Sequence, residues 1–223
     1  MASITQQFEV GAEATPRRTF AWVIGWPGWC RSGKGEGEGE ALAALARYLP
    51  RYRAAVAAAG FGPAEGDFPE FKITERLDGS ATTDFGAPSA IGQSDLVALS
   101  PEDGERLAAL VACSWVGFEA AAELAPRTLR KGPRGGGRDR DRIVEHVRGA
   151  DFVYARKIGL KQRAEVGDLE AVARLRSAAT SALRSPRSES PTPGSGWPLP
   201  YYARRSAWHA LDHLWEIEDR TDP

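Results

Sequence analysis

Two of the three histidines in this chain, His209 and His213, stand four residues apart in the stretch YYARRSAWHALDHLWEIEDR at residues 201–220. On a helix, positions i and i+4 share a face with Cβ atoms about 5–6 Å apart, so both imidazoles could reach one metal ion. Two imidazoles suit zinc or a neighbouring first-row metal such as nickel, and a catalytic centre adds a third protein ligand while keeping a position open. The third histidine, His146, lies in RIVEHVRGAD on a different predicted helix and supplies that ligand if the two helices face each other. An isolated H-x-x-x-H pair is more often surface or core decoration than a metal site. The use of all three histidines in one compatible geometry is what favours ligation.

Neighbouring residues add chemistry on the same face. Glu216 follows His213 by three residues and His209 by seven, which leaves four roles open: fourth ligand, acceptor holding an imidazole N–H, general base, or solvated helix-end carboxylate. Asp212 is another carboxylate able to orient an imidazole. Arg205, four residues before His209, could clamp a substrate carboxylate or form a surface ion pair. The small Gly149 and Ala150, three and four after His146, would leave room above a metal or allow close helix packing. Trp208, Trp215 and Tyr154 read first as core or core-edge aromatics and second as pocket walls.

Positioning these groups requires helices, and the second half of the chain supplies four. Ser100 as N-cap, Pro101 at the first helical position and acidic residues in the first turn open a long helix. DRIVEHVRGADFVYARKIG forms a second, ending at Gly159, and Asp168 caps a third, DLEAVARLRSAATSALRS. A proline-rich crossover, PRSESPTPGSGWPLP, leads to the fourth, which carries the histidine pair. Four amphipathic helices make a bundle whose facing helices can build a metal site. The first half reads as α+β: a strand over TFAWVI, a Pro27-Gly28 turn, a helix from Gly39 with Leu42, Leu45, Ala46, Leu49 and Tyr52 on one face, and a strand over FKITERL. Pro50 should kink or divide the helix. GWCRSGKGEGEGE lacks the spacing of a phosphate loop and reads as a flexible strand-to-helix turn. The expected organisation is an α+β module over residues 1–95 and an all-α four-helix bundle over residues 96–223.

The motifs IVEHVRGADFVYARKIG and AWHALDHLWEIEDR resemble the DinB-like family of four-helix bundles across roughly residues 100–220. That resemblance implies metal ligation by His146, His209 and His213. It further implies an enzyme that transfers or adds a low-molecular-weight thiol such as mycothiol to a small-molecule electrophile; Glu216 and Arg205, from their spacing on the histidine helix, are the catalytic candidates. A metal-dependent hydrolase or cyclase, or a non-catalytic binding protein with a structural metal, are the alternatives. Residues 8–73 resemble the HicB-like α+β module, without the carboxylates a nuclease needs. Such a module could cover the bundle, wall the site or form the contact of a homodimer.

Composition narrows the classes. With 29 basic and 30 acidic residues the formal net charge is −1, which offers no electrostatic footprint for nucleic acid. Cys30 and Cys113 are too few for a disulfide framework, and Cys30 has Arg31 and Lys34 nearby but no histidine to make it a nucleophile. The opening residues lack the pattern of a secretory signal, and no window is expected to reach the length and apolarity of a membrane span, so a cytoplasmic protein without a membrane partner is expected.

Overall fold

The computed structural model describes residues 6–35, 37–63, 69–132, 137–162, 165–185 and 196–221. Among the described residues a four-stranded sheet and six α-helices give an α+β fold. Strands β1 (Gln7–Ala14), β2 (Arg18–Val23) and β3 (Cys30–Lys34) are followed by α1 (Gly39–Val56) and β4 (Glu70–Asp78). The sheet order is β3-β2-β1-β4, antiparallel throughout except for β4, which runs parallel to β1. The short α2 (Ala81–Asp84) then precedes α3 (Pro101–Leu124), α4 (Arg140–Lys157), α5 (Leu169–Arg184) and α6 (Leu199–Thr221).

Local chemistry explains most of these boundaries. The Ser100 hydroxyl accepts from the Asp103 N–H with Pro101 at the first position of α3, and Asp168 accepts from the Ala171 N–H at the start of α5. Gly159, at φ +87°, follows the end of α4. Pro50 does not divide α1, which runs on to Val56 because Leu45 and Leu49 before it and Tyr52 and Val56 after it are all buried on one side. The crossover segment at residues 186–195 lies outside the described residues.

The stretch expected to be a flexible turn after Trp29 instead forms β3. Gly33 is what permits it: a Cβ there would sit 2.4 Å from the Ala41 backbone nitrogen, so α1 packs directly on the strand's backbone. Strand β1 was not foreseen either. Within it Gly11 lies so close under the Trp22 indole that a Cβ would come within 2.2 Å of the ring.

One hydrophobic cluster crosses the expected division near residue 95, joining Phe8, Val10, Trp29, Leu45 and Tyr52 to Leu107, Val111, Phe118 and Leu211. Helices α3 and α4 each lie alongside both α5 and α6, so these four helices pack as a bundle. Contrary to the sequence expectation, α3 is long and apolar enough by composition to cross a membrane, with a mean hydropathy of 1.5 over its best window. Its Leu107, Leu110, Val111, Trp115 and Phe118 are buried, and it packs on α1, α5 and α6, so its apolarity is that of a core helix. The bundle is also tied by polar groups: Asp151 of α4 accepts from Trp115 Nε1 of α3 and from Arg176 of α5, which also reaches Glu119 of α3.

Candidate metal centre

Helix α6 is sandwiched, and its two faces do different work. Residues 208, 211, 212 and 215, at helical spacing, turn toward the N-terminal half. Trp208 meets Phe20 edge-on at 5.7 Å, Leu211 packs where Gly28 leaves no room for a side chain, and Asp212 pairs with Arg31 at 2.8 Å. The Arg31 guanidinium also lies 3.7 Å from the Tyr48 ring centroid and 4.0 Å from that of Trp215. Asp212 is therefore spent on anchoring α6 to the sheet and does not orient a histidine. Residues 205, 209, 213, 216 and 220 form the other face.

On that face the three histidines converge. Their ring centroids are 4.8 to 5.0 Å apart in all three pairings. Each ring offers one nitrogen such that the three candidate ligand atoms lie within 4.8 Å of one another, and the Nε2 atoms of His146 and His209 are 3.1 Å apart. Two nitrogens bound tetrahedrally to zinc at ~2.0–2.1 Å are separated by about 3.4 Å. The triad as folded is thus close to the spacing a single ion needs.

Protonation favours ligation as well. Burial, followed by the charges of His213, His146, Arg205 and Arg138, holds His209 well below the usual histidine range. His146 is lowered for the same first reason, then by His213 and Arg138. Both rings stay neutral at neutral pH and keep a lone pair for a metal. With His209 Nε2 turned to His146, its Nδ1 is the nitrogen that would keep the proton, and it is buried with no hydrogen-bond partner among the described residues. Three imidazoles fit a borderline-soft divalent ion such as zinc or nickel better than calcium or magnesium, which require oxygen ligands.

Of the four roles open to Glu216, the geometry gives that of the acceptor. His213 Nδ1–H donates to its Oε2 at 2.7 Å, which fixes the tautomer and leaves Nε2 free for the ion. Its other oxygen accepts from Arg220 at 2.7 Å. Although burial opposes it, these bonds from His213 and Arg220 hold the Glu216 carboxyl below the usual glutamate range, which disfavours proton uptake as a base. Arg220 is a functional neighbour that sequence reasoning passed over. Its Nε donates to the Arg130 carbonyl at 2.7 Å, while the Arg130 N–H donates to the Arg220 carbonyl at 3.0 Å. Gly137 lies over its guanidinium so closely that a Cβ would approach to 2.8 Å. Arg130 and Gly137 thus hem in Arg220, Arg220 holds Glu216, and Glu216 holds His213. The i, i+4 spacing of Glu216 and Arg220 was the available signal.

Arg205 is half-buried, and among the described residues no carboxylate lies in ion-pair range of it. Its Nε donates weakly to the Tyr154 hydroxyl at 3.4 Å, and the Tyr154 ring stands 5.7 Å from that of His209. Tyr154 therefore walls the centre, whereas Trp208 and Trp215 are buried at 6% and 3% exposure against the sheet side. Gly149 does not open space above the triad, since its missing Cβ would face Val166. Cys30 is buried and its thiol is pushed up to about 12 by burial, against the nearby Arg204 and Arg31, so it is no nucleophile. A cavity of about 420 Å3 near Trp22, Asp95, Arg106 and Arg204 involves none of the three histidines.

Comparison of the chain with protein-family models, with curated proteins and with solved structures finds no match in any of the three.

Proposed function

We propose that this chain is a metal-dependent enzyme of the DinB-like type that transfers or adds a low-molecular-weight thiol, such as mycothiol, to a small-molecule electrophile. The observation that carries the reading is the convergence of His146, His209 and His213 from two helices, with His213 oriented by Glu216. A divalent ion held by the triad would supply Lewis acidity, lowering the pKa of a thiol beside it so that the nucleophile is available at neutral pH.

The chain's own residues support this chemistry in distinct ways. His209 and His146 remain neutral through burial, and Glu216 keeps the proton of His213 on Nδ1. Arg205 is a cation that no carboxylate among the described residues neutralises, placed beside His209 with Tyr154. It is suited to stabilise negative charge that develops on the electrophile as the thiol adds. The Tyr154 and Trp197 rings, 5.2 Å apart, give that side an apolar wall that limits water. The mixed sheet of the N-terminal half, with one helix packed on it, is compatible with a HicB-like module that backs α6.

Purified protein should carry about one divalent ion per chain, and His213→Ala should lose it. A screen of low-molecular-weight thiols against electrophiles such as activated alkenes should then show thiol consumption by the metal-loaded protein alone. Stoichiometric metal in a variant with all three histidines changed to alanine would refute the site. Full metal occupancy without thiol consumption would favour a structural metal in a binding protein.

A further inference from the structure

At the His146 ring the residues that lead into α4 and its first two turns form a shallow, open hollow of about 420 Å3, lined by Arg138, Arg142, Glu145 and His146. One of the proposed metal ligands thus forms part of its wall. Arg142 is neutralised by Glu145, whose carboxylate it meets at 2.7 Å. Arg138 is exposed, and among the described residues no carboxylate lies in ion-pair range of it. The carboxylate that touches the triad, Glu216, is matched by Arg220 at 2.7 Å. Among the described residues, Arg138 beside His146 and Arg205 beside Tyr154 and His209 therefore carry two guanidinium charges that no carboxylate offsets, to which a divalent ion would add two more. A site with an excess of one sign of charge concentrates ligands of the other sign, and here two arginines outnumber the single Glu145. A guanidinium fork is, moreover, the group that best matches the oxygens of a carboxylate or phosphate.

We infer that the substrate delivered to this centre is an oxyanion, a carboxylate or a phosphate ester, whose charged group is seated in the hollow outside His146 against Arg138. This rests on the metal-centre reading above and adds to it the substrate class. Arg138 is a specificity residue in this arrangement: it holds the part of the molecule that does not react, while the triad and Arg205 face the part that does.

Cobalt(II) in place of the native ion gives visible absorption bands that report ligands entering its coordination sphere or its surroundings. Cobalt stoichiometry is measured first, for the full chain and for Arg138→Gln. Each is then titrated with acetate, with methyl phosphate and, as a neutral control, with imidazole at a pH where it is uncharged. The expected result is that both proteins bind one cobalt and take imidazole equally. At least one anion should bind the variant about 10-fold or more weakly, as loss of a charge-assisted contact requires. A preference for methyl phosphate over acetate identifies a phosphate ester as the substrate class, and the reverse identifies a carboxylate. Equal anion affinities in the two proteins, or no anion binding to the cobalt-loaded chain, would overturn the inference while leaving the metal centre standing. Failure to bind cobalt at all would overturn the metal-centre reading and this inference with it.

Discussion

At the scale of single residues, the centre depends on which nitrogen of His213 carries its proton, and Glu216 decides that. A carboxylate with both oxygens occupied, one by His213 and one by Arg220, is an orienting group. Glu216→Gln keeps the shape but replaces one acceptor oxygen with an amide nitrogen, which must then face either the His213 N–H or the Arg220 guanidinium, both of them donors. Loss of such outer partners weakens metal sites by about 10–100-fold. Glu216→Gln should therefore lower metal affinity by that factor, measured by competition with a chromophoric chelator. Arg220→Gln, which leaves the His213 contact in place, should have a smaller effect in the same direction. Unchanged affinity in Glu216→Gln together with a large fall in turnover would return Glu216 to the role of general base. The histidines themselves were legible from residue type and spacing alone. Arg220 was not, because its part in the site arises from contacts with Arg130 and Gly137, some ninety residues earlier in the chain.

At the scale of elements, legibility followed the chemistry of each segment. The long helices announced themselves through caps at Ser100 and Asp168 and through apolar residues at helical spacing, signals that act within a few residues. Strands β1 and β3 did not. In β1, Gly11, Ala12 and Glu13 are all buried, so the alternation that marks a half-exposed strand disappears. In β3 a serine and a glycine stand where apolar residues would be expected, because α1 lies on the strand's backbone. Glu13 is the sharpest exception, a carboxylate with no exposure in the middle of a sheet. It accepts from the Ser89 N–H at 2.9 Å, the Ala90 N–H at 2.6 Å and the Thr83 hydroxyl at 2.8 Å, pinning the segment after α2 to the sheet. Glu13→Ala would strand those donors, the Thr83 hydroxyl fully buried and the two N–H groups partly so, at about 1–3 kcal/mol for a buried group left unsatisfied. A loss of roughly 3 kcal/mol in urea unfolding is the expected outcome. A loss below about 1 kcal/mol would mean that water replaces the carboxylate and that the segment is not held by it.

At the scale of the whole molecule, α6 links the two halves: its 208-212-215 face is fixed to the sheet side and its 209-213-216 face closes on α4. An ion shared by His146 of α4 and the pair on α6 would therefore brace the fold as well as serve chemistry, and its removal should register in global stability. Free ion at 100 times its dissociation constant stabilises by about 2.7 kcal/mol. For a domain of this size that corresponds to roughly 5–10 °C in Tm. The pH dependence has a definite sign. His146 and His209 have folded-state pKa values lowered from the ordinary histidine value, so below about pH 6.5 the unfolded chain binds more protons than the folded one. Their contribution to stability is present above that pH and is lost as pH falls through the lowered folded values. Protons compete for the same ring nitrogens as the metal, so metal binding must weaken in the same direction. Because burial keeps two of the rings neutral below the usual histidine range, the metal should survive to lower pH than at an exposed histidine cluster. Addition of chelator should lower Tm by several degrees at about pH 7.5, and the effect should shrink on acidification with its midpoint below about pH 6.5. A chelator effect that is absent at about pH 7.5, or identical there and at about pH 4.5, would mean that the three rings converge for packing alone.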